Sequence, residues 1–265
     1  MGSIVYDIKF QQNDGLLVSP SFLIDNCLYG VQLCTSDGRT LSYDTMKNYI
    51  LAAQAEVERY LDLKLNHEII EERKDFYLED WKAWGYVRCT YPINKAFALD
   101  GWVNTIRQVQ YPNEWLSTRK TNDGRLYQRN LYIVPVGSAV ANFQSIVFSG
   151  ITPHLGFLNM AHIPNYWNIT YGTGFDKMPE DITKAIMYLA AIPMYMWLGN
   201  AILPYPGLNS YSISIDGLSQ SRATDAGGYK TRIDQLKQDL YGGGGVPGLL
   251  NSLQQYYNTL NLTIC

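Results

Sequence analysis

The stretch Trp167-Asn-Ile-Thr-Tyr-Gly-Thr-Gly-Phe175, followed by Met178-Pro-Glu-Asp-Ile182 and an apolar run to Leu198, decides how this 265-residue chain is organised. Trp167, Ile169 and Tyr171 alternate with Asn168 and Thr170, the period of a strand with one apolar face. Gly172 and Gly174 supply a turn at its end. Pro179 stands where a first helical residue tolerates a missing amide, and Glu180 and Asp181 meet the positive end of a helix. Ile182, Ala185, Ile186, Leu189 and Ala190 then recur at helical spacing, which marks a buried face. Strand, turn and helix are predicted in succession, and nothing in them is suited to catalysis.

Upstream of this element, residues 66–175 read mainly as β. Residues 75–91 fit a strand or hairpin with Trp81, Trp84 and Gly85 near its turn. Residues 101–111 and 125–134 are strand-like and flank Asn122-Asp123-Gly124, a hairpin signal. With 143–148 and 166–171 they make about five strands, enough for a small antiparallel sheet or barrel. Before them, Met46, Ile50, Ala53, Val57, Tyr60 and Leu61 follow a 3.6 period, with Ser42 or Asp44 as N-cap. Carried to about Leu63, this helix is roughly 30 Å long. Residues 1–41 are punctuated by Asn13-Asp14-Gly15, Ser19-Pro20 and Ser36-Asp37-Gly38, and read as an N-terminal arm or short strands.

Downstream, the helix from Pro179 is expected to kink or stop near Pro193. Residues 199–228 read as a long loop. Tyr229, Ile233, Leu236 and Leu240 mark another amphipathic helix. Gly242, Gly243, Gly244 and Gly245 read as a flexible hinge. Beyond it Leu249, Leu250, Leu253, Tyr256, Tyr257 and Leu260 define a terminal amphipathic helix, free to pack back on its own domain or to dock elsewhere. The expected fold is α+β. A helical core of about four helices (42–65 and 176–241) carries a β-rich insertion (66–175) and an extended C-terminal segment (242–265).

Composition bounds the function. Hydrophobic residues at 46% and charged residues at 17% describe a folded chain. A net charge of −3 argues against a strongly basic nucleic-acid binder, because phosphate contacts need clustered Lys and Arg. The 21 tyrosines and 6 tryptophans fit either interfaces or an aromatic core. No basic and apolar leader opens the sequence. The nearest approach to a membrane span, Ala185 to Leu203, is interrupted by Pro193, Gly199 and Asn200, so no span is expected. Cys27, Cys34, Cys89 and Cys265 have neither Cys-x-x-Cys nor zinc spacing and read as free thiols.

The search for chemistry is negative. His67, His154 and His162 lack metal-ligand spacing, and His154 and His162 read as loop residues beside Pro153 and Pro164. The cluster Glu68, Glu71, Glu72, Asp75, Glu79 and Asp80 has the residue types for paired acid and base catalysis. It is interleaved with Arg73, Lys74 and Lys82, as a solvated surface would be. Gly172-Thr173-Gly174 lacks the third glycine of a dinucleotide fingerprint, and the four-glycine run has no Gly-Lys-Ser/Thr. No catalytic, metal or cofactor residue is assigned, and an enzyme is not expected.

The order of parts carries a resemblance. The helix ending Glu56-Val57-Glu58-Arg59-Tyr60-Leu61-Asp62-Leu63-Lys64-Leu65 leads to Tyr91-Pro92-Ile93 and Val103-Asn104-Thr105-Ile106-Arg107-Gln108-Val109-Gln110-Tyr111. Then come Ile169-Thr170-Tyr171-Gly172-Thr173-Gly174-Phe175, Met178-Pro179-Glu180-Asp181-Ile182 and Ala185-Ile186. Over residues 42–198 this succession resembles the head–tail connector, or adaptor, proteins of tailed double-stranded DNA phages. Residues 212–221 are also similar to stretches of phage neck proteins. The resemblance implies a structural virion protein that assembles in the host cytoplasm into a homo-oligomeric ring, typically of twelve copies. Such a ring sits beneath the portal protein, extends a channel through which DNA passes without tight binding, and presents a platform to the next neck or tail protein. It implies a terminal portal-docking element, and the hinge points to the face formed by Leu249, Leu250, Leu253, Tyr256, Tyr257 and Leu260. The competing readings are another tail-completion or baseplate protein and a hydrolase using the carboxylates of residues 68–80.

Overall fold

The computed structural model describes residues 15–31, 33–34, 40–81, 86–120, 127–134, 162–202, 210–215, 218–223 and 229–262. They fold as an α+β protein with five α-helices and eleven strands among the described residues: α1 Pro20–Cys27, α2 Tyr43–Leu61, α3 Glu180–Ile202, α4 Lys230–Tyr241 and α5 Leu249–Leu262. The chain divides into a helical unit, Met1–Leu61 with Met178–Leu262, and a β unit, Asp62–Lys177.

In the helical unit α3 packs against each of the other four helices. A helix enclosed on several sides must be apolar nearly all round, which explains the long hydrophobic run. By length and composition α3 could cross a membrane; its Ile182, Ala185, Ile186, Leu189, Ala190, Met194 and Leu198 are instead buried inside this unit. The helix does not stop at Pro193 but continues to Ile202. Proline removes one amide, and the burial of Ala190, Ala191, Met194 and Tyr195 on either side outweighs that loss.

Ser42 caps α2, accepting from the amide of Thr45 at 3.2 Å, and Met46, Ile50, Ala53, Val57 and Leu61 are buried along one face. The N-terminal region holds a helix where an arm or strands were expected. Ser19 accepts from the Phe22 amide and Pro20 occupies the first turn of α1, so the Ser-Pro pair is a helix start rather than a loop signal. Buried Gln54 of α2 ties the preceding residues down, accepting from Leu17 N at 2.9 Å and donating to Gly15 O at 3.1 Å. The Tyr195 hydroxyl donates to the Cys27 carbonyl at the end of α1.

Part of the expected 199–228 loop is a hairpin. Strand β8, Ser210–Ile215, pairs antiparallel with β9, Leu218–Ala223, bringing Ile215 opposite Leu218. The two intervening positions in the sequence are Asp216-Gly217, a dipeptide suited to a two-residue hairpin connection.

The β unit contains a four-stranded antiparallel sheet in the order β1-β7-β3-β4, with β1 Glu68–Tyr77, β3 Lys95–Val103, β4 Ile106–Gln110 and β7 His162–Thr173. A three-stranded sheet, β2-β6-β5, is formed by Tyr86–Arg88, Asn130–Ile133 and Leu116–Ser117. Both contribute to one core, in which Phe76, Leu99, Trp167, Ile169 and Tyr171 of the first sheet meet Val87, Leu131 and Ile133 of the second. The expected alternation in β7 is present, with Trp167, Ile169 and Tyr171 buried and Asn168 and Thr170 half-buried.

Several boundaries differ from expectation. Residues 101–111 are not one strand: β3 and β4 are joined through Asn104, whose φ of 55° suits a tight turn. The region 75–91 is not a hairpin of its own, because β1 begins at Glu68 and pairs with β7 while β2 pairs with β6. His162 is the first residue of β7 rather than a loop residue. The turn at 122–124, the strand at 143–148 and His154 lie outside the described residues. Gly174 has φ 103°, and a Cβ there would meet the Asn66 carbonyl oxygen at 2.4 Å, so this position requires glycine.

Candidate functional site

The C-terminal segment was expected to be a hinged docking element, and the structure changes both parts of that expectation. Gly242–Gly243 pairs antiparallel with Val246–Pro247, and Gly244 and Gly245 turn between them with φ of 62° and 88°. A Cβ on Gly242 would meet the Val246 carbonyl oxygen at 2.3 Å, and one on Gly248 would meet the Leu240 oxygen at 2.3 Å. The glycine run is therefore a paired turn, close-packed at Gly242 and open at its tip, Gly244 and Gly245. Glycine is needed there for positive φ and backbone approach as well as for freedom.

Beyond it α5 packs back on its own unit. Leu250, Leu253 and Tyr257 are buried against the other helices, and Leu249 and Tyr256 are half-buried. Tyr60 of α2 donates to Asn251 Oδ1 at 2.6 Å. The side chain of Leu260 lies outside the described set. In this conformation Leu250, Leu253 and Tyr257 are occupied by their own unit.

The acidic cluster resolves into two arrangements on β1. Glu72 Oε1 accepts from the Thr90 amide at 2.9 Å and Oε2 from the Thr90 hydroxyl at 2.6 Å. Lys74 Nζ lies 3.5 Å from Glu72 Oε2 and donates to Thr90 Oγ1 at 2.7 Å. Burial, with Glu72 nearby, pushes the Cys89 thiol and Tyr171 phenol up, so both stay protonated. The Tyr171 hydroxyl accepts from the Tyr91 amide at 3.2 Å. This knot fastens β1 to residues 89–91 and leaves Glu72 with its acceptor capacity spent.

Asp75 Oδ1 accepts from the Asn165 amide at 2.8 Å, and Oδ2 lies 3.1 Å from His162 Nε2. The Asn165 amide, then His162, hold its carboxyl below the ordinary range, the reverse of what a general acid at neutral pH needs. Tyr77 stacks on His162 with ring centroids 4.7 Å apart. No group of three or more His, Cys, Asp or Glu side chains placed to hold a metal occurs among the described residues. Cys27 and Cys89 are buried free thiols.

What remains is surface. An open groove of about 440 Å³ lies between Arg73, Lys74, Asp75 and Tyr77 of β1 and the residues of β2, with Trp167 also lining it. Among the described residues of the β unit, the exposed large apolar side chains are Tyr77, Leu78 and Ile106, at 47, 41 and 65% exposure. Ile106 opens β4, an edge strand, and Tyr77 ends β1, the opposite edge. Sequence reading passed over both, since an exposed edge becomes recognisable only when strand order is known. Of the tyrosines, Tyr111, Tyr166, Tyr171, Tyr195 and Tyr257 are buried while Tyr29, Tyr43, Tyr77 and Tyr241 are exposed, so the aromatic surplus serves both core and surface.

The chain matches no family model and no curated protein. Among solved structures it is similar to a chain described as "Neck of empty GTA particle computed with C6 symmetry". Identity is 15%, the match covers 60% of this chain and 71% of that one, and the TM-score is 0.35.

Proposed function

We propose that this chain is a structural virion protein: a head-to-tail adaptor whose copies form a ring beneath the portal, extend the DNA channel and give the next neck or tail component its platform. The observation that carries this reading is the order of parts. Helix α2 leads into an antiparallel β unit, and the chain leaves it through the β7 strand, the bend at Gly174 and α3, the succession in which the connector resemblance lies. The spent acceptors of Glu72 and the lowered carboxyl of Asp75 favour an assembly role over a hydrolase. A closed ring needs two different complementary faces on each copy, and exposed apolar residues on opposite sheet edges suit that need.

The portal contact is assigned to surface left exposed in the folded subunit, since the inner face of α5 is occupied. Native mass spectrometry of the chain mixed with its portal protein, with imaging of intact particles, tests the proposal. The expected result is a ring bound to portal, of about twelve copies as the resemblance implies, closed through heterologous contacts. A trimer, or a ring that ignores portal and sits elsewhere on the tail, would replace it with the tail-completion or baseplate reading.

A further inference from the structure

The chain passes between the helical unit and the β unit twice, at Leu61–Asp62 and at Lys177–Met178. On the β side of each crossing stands an aspartate open to water, Asp62 or Asp176, with 63 and 55% of its side chain exposed. Between these aspartates and the sheet the two chain segments are tied to each other. The Phe175 amide donates to the Leu65 carbonyl at 3.4 Å, Gly174 lies against the Asn66 backbone, and Leu63, Leu65 and Phe175 are buried. Rotation at the crossings is therefore confined to the exposed positions, Asp62 on one and Asp176 and Lys177 on the other.

Asp62 is held in a conformation that its residue type disfavours. It follows the last turn of α2 with φ 53°, a place where glycine is the common choice. Arg129 explains the aspartate. Its Nη1 donates to Asp62 Oδ2 at 3.0 Å and its Nη2 to the Asp62 carbonyl at 2.9 Å, so one guanidinium holds both side chain and main chain.

Two residues before Arg129, the Tyr127 hydroxyl donates to Asp176 Oδ2 at 3.3 Å. Asn94 Nδ2 donates to Asp176 Oδ1 at 2.8 Å, and Lys120 Nζ lies 3.7 Å from Oδ2. Residues 127–129 thus grip both crossings, and all of these groups belong to the β unit. Their own backbone is fixed, since the amides of Ile93 and Cys89 donate to the carbonyls of Gln128 and Arg129 at 3.0 and 2.8 Å. The two aspartates are solvated, so the bonds to them are individually weak and exchange with water. A disfavoured backbone conformation held by an exchangeable bond is what a hinge that can open requires.

We propose that residues 127–129 are a latch on the hinge formed by the two crossings. With Arg129 on Asp62 and Tyr127 on Asp176, both chain ends leave the β unit in one fixed direction. With both contacts released, Asp62 leaves the left-handed region and the β unit turns as a body about the crossings. The inference stands apart from the ring reading, because every group in it belongs to one copy.

Spin-label distances test it. In a Cys34→Ser, Cys265→Ser background, nitroxides are placed on Asn48→Cys of α2 and Thr105→Cys between β3 and β4, both exposed positions, while Cys27 and Cys89 are buried. Labelled chain is diluted with unlabelled chain, so that pairs within one copy are read. The parent should give one narrow distance distribution. Asp62→Gly with Asp176→Ala should broaden it, and each change alone should broaden it less. Glycine suits φ 53°, so this release leaves α2 unstrained. Arg129→Lys with Tyr127→Phe, which keeps both aspartates and the charge but loses the fork and the hydroxyl, should broaden it too, and serves if the first pair fails to fold. A distribution as narrow as the parent's in either folded double variant would overturn the proposal, and so would a parent distribution that is already broad.

Discussion

The helical unit and the β unit fill their cores with different kinds of side chain. Around α3 the helices close on small residues, with Ala185, Ala190 and Ala191 fully buried, and Ile186, Leu61 and Leu236 between them. The β unit is filled by rings. Tyr166 and Trp167 meet edge to face with centroids 4.6 Å apart, and Phe76 and Tyr166 lie 5.8 Å apart. The difference follows from spacing. Packed helix axes lie about 8–10 Å apart, the nearer where the side chains between them are small, whereas two short sheets about 10 Å apart need bulk from few positions. One unit should suffer most from lost elements and added volume, the other from lost volume and lost hydrogen bonds.

The severest test removes residues 246–265. Leu250, Leu253 and Tyr257 each contribute about 1.5–3 kcal/mol of burial, so the helical unit should lose hydrogen-exchange protection while the β unit keeps it. Full protection of α2 and α3 after truncation would return α5 to the role of a detachable arm.

Next in size is Trp167→Ala, which should cost about 3–5 kcal/mol by opening a cavity among rings. Its counterpart, Ala190→Leu, should cost about 1–3 kcal/mol by overpacking the helices. Urea midpoints of the two variants measure the contrast. Near-neutral behaviour of Ala190→Leu would show that α3 has room to spare and would weaken the comparison.

A smaller effect is expected for Glu72→Ala, which leaves the Thr90 amide and hydroxyl hydrogen without their acceptor, at about 1–3 kcal/mol. Faster exchange of the Thr90 amide should accompany the lower melting temperature, and Glu72→Gln should recover part of the loss. Unchanged exchange would mean that the knot does not fasten these residues.

The mildest perturbation is alkaline pH. Burial raises the phenols of Tyr111, Tyr166 and Tyr171 above their ordinary value. A group raised in the folded state stabilises fully below its unfolded pKa, about 10 for tyrosine, and that contribution is lost as pH rises through the folded value. Stability of the β unit should therefore decline progressively above about pH 10. Phenolate absorbance appearing with unfolding would confirm it; titration of these rings in the native state at pH 10 would contradict it.

Much of the fold was legible where a periodic pattern had one cause. The alternation in Trp167–Tyr171 and the 3.6 period in α2 and α4 each reflect a single buried face, and a single buried face is what periodicity records. Legibility failed where two physical readings share a residue. Ser19-Pro20 suits a turn or a helix start, Asp216-Gly217 a loop or a hairpin, and Pro193 a helix end or a buried helix interior. The site suffered most, because the terminal helix showed an apolar face without showing what covers it. An edge such as Ile106 has no sequence signature of its own.

By itself, then, the sequence determined the α+β class and the strand, turn and helix running from Trp167 to Leu198, since each is a local matter of spacing and residue type. Tertiary structure decided that the glycine run is a paired turn and that Leu250, Leu253 and Tyr257 belong to the core. It also set Glu72 against Thr90 and left β1 and β4 as opposite edges. These depend on which distant segments come together, and contact between distant segments is what a one-dimensional pattern does not carry.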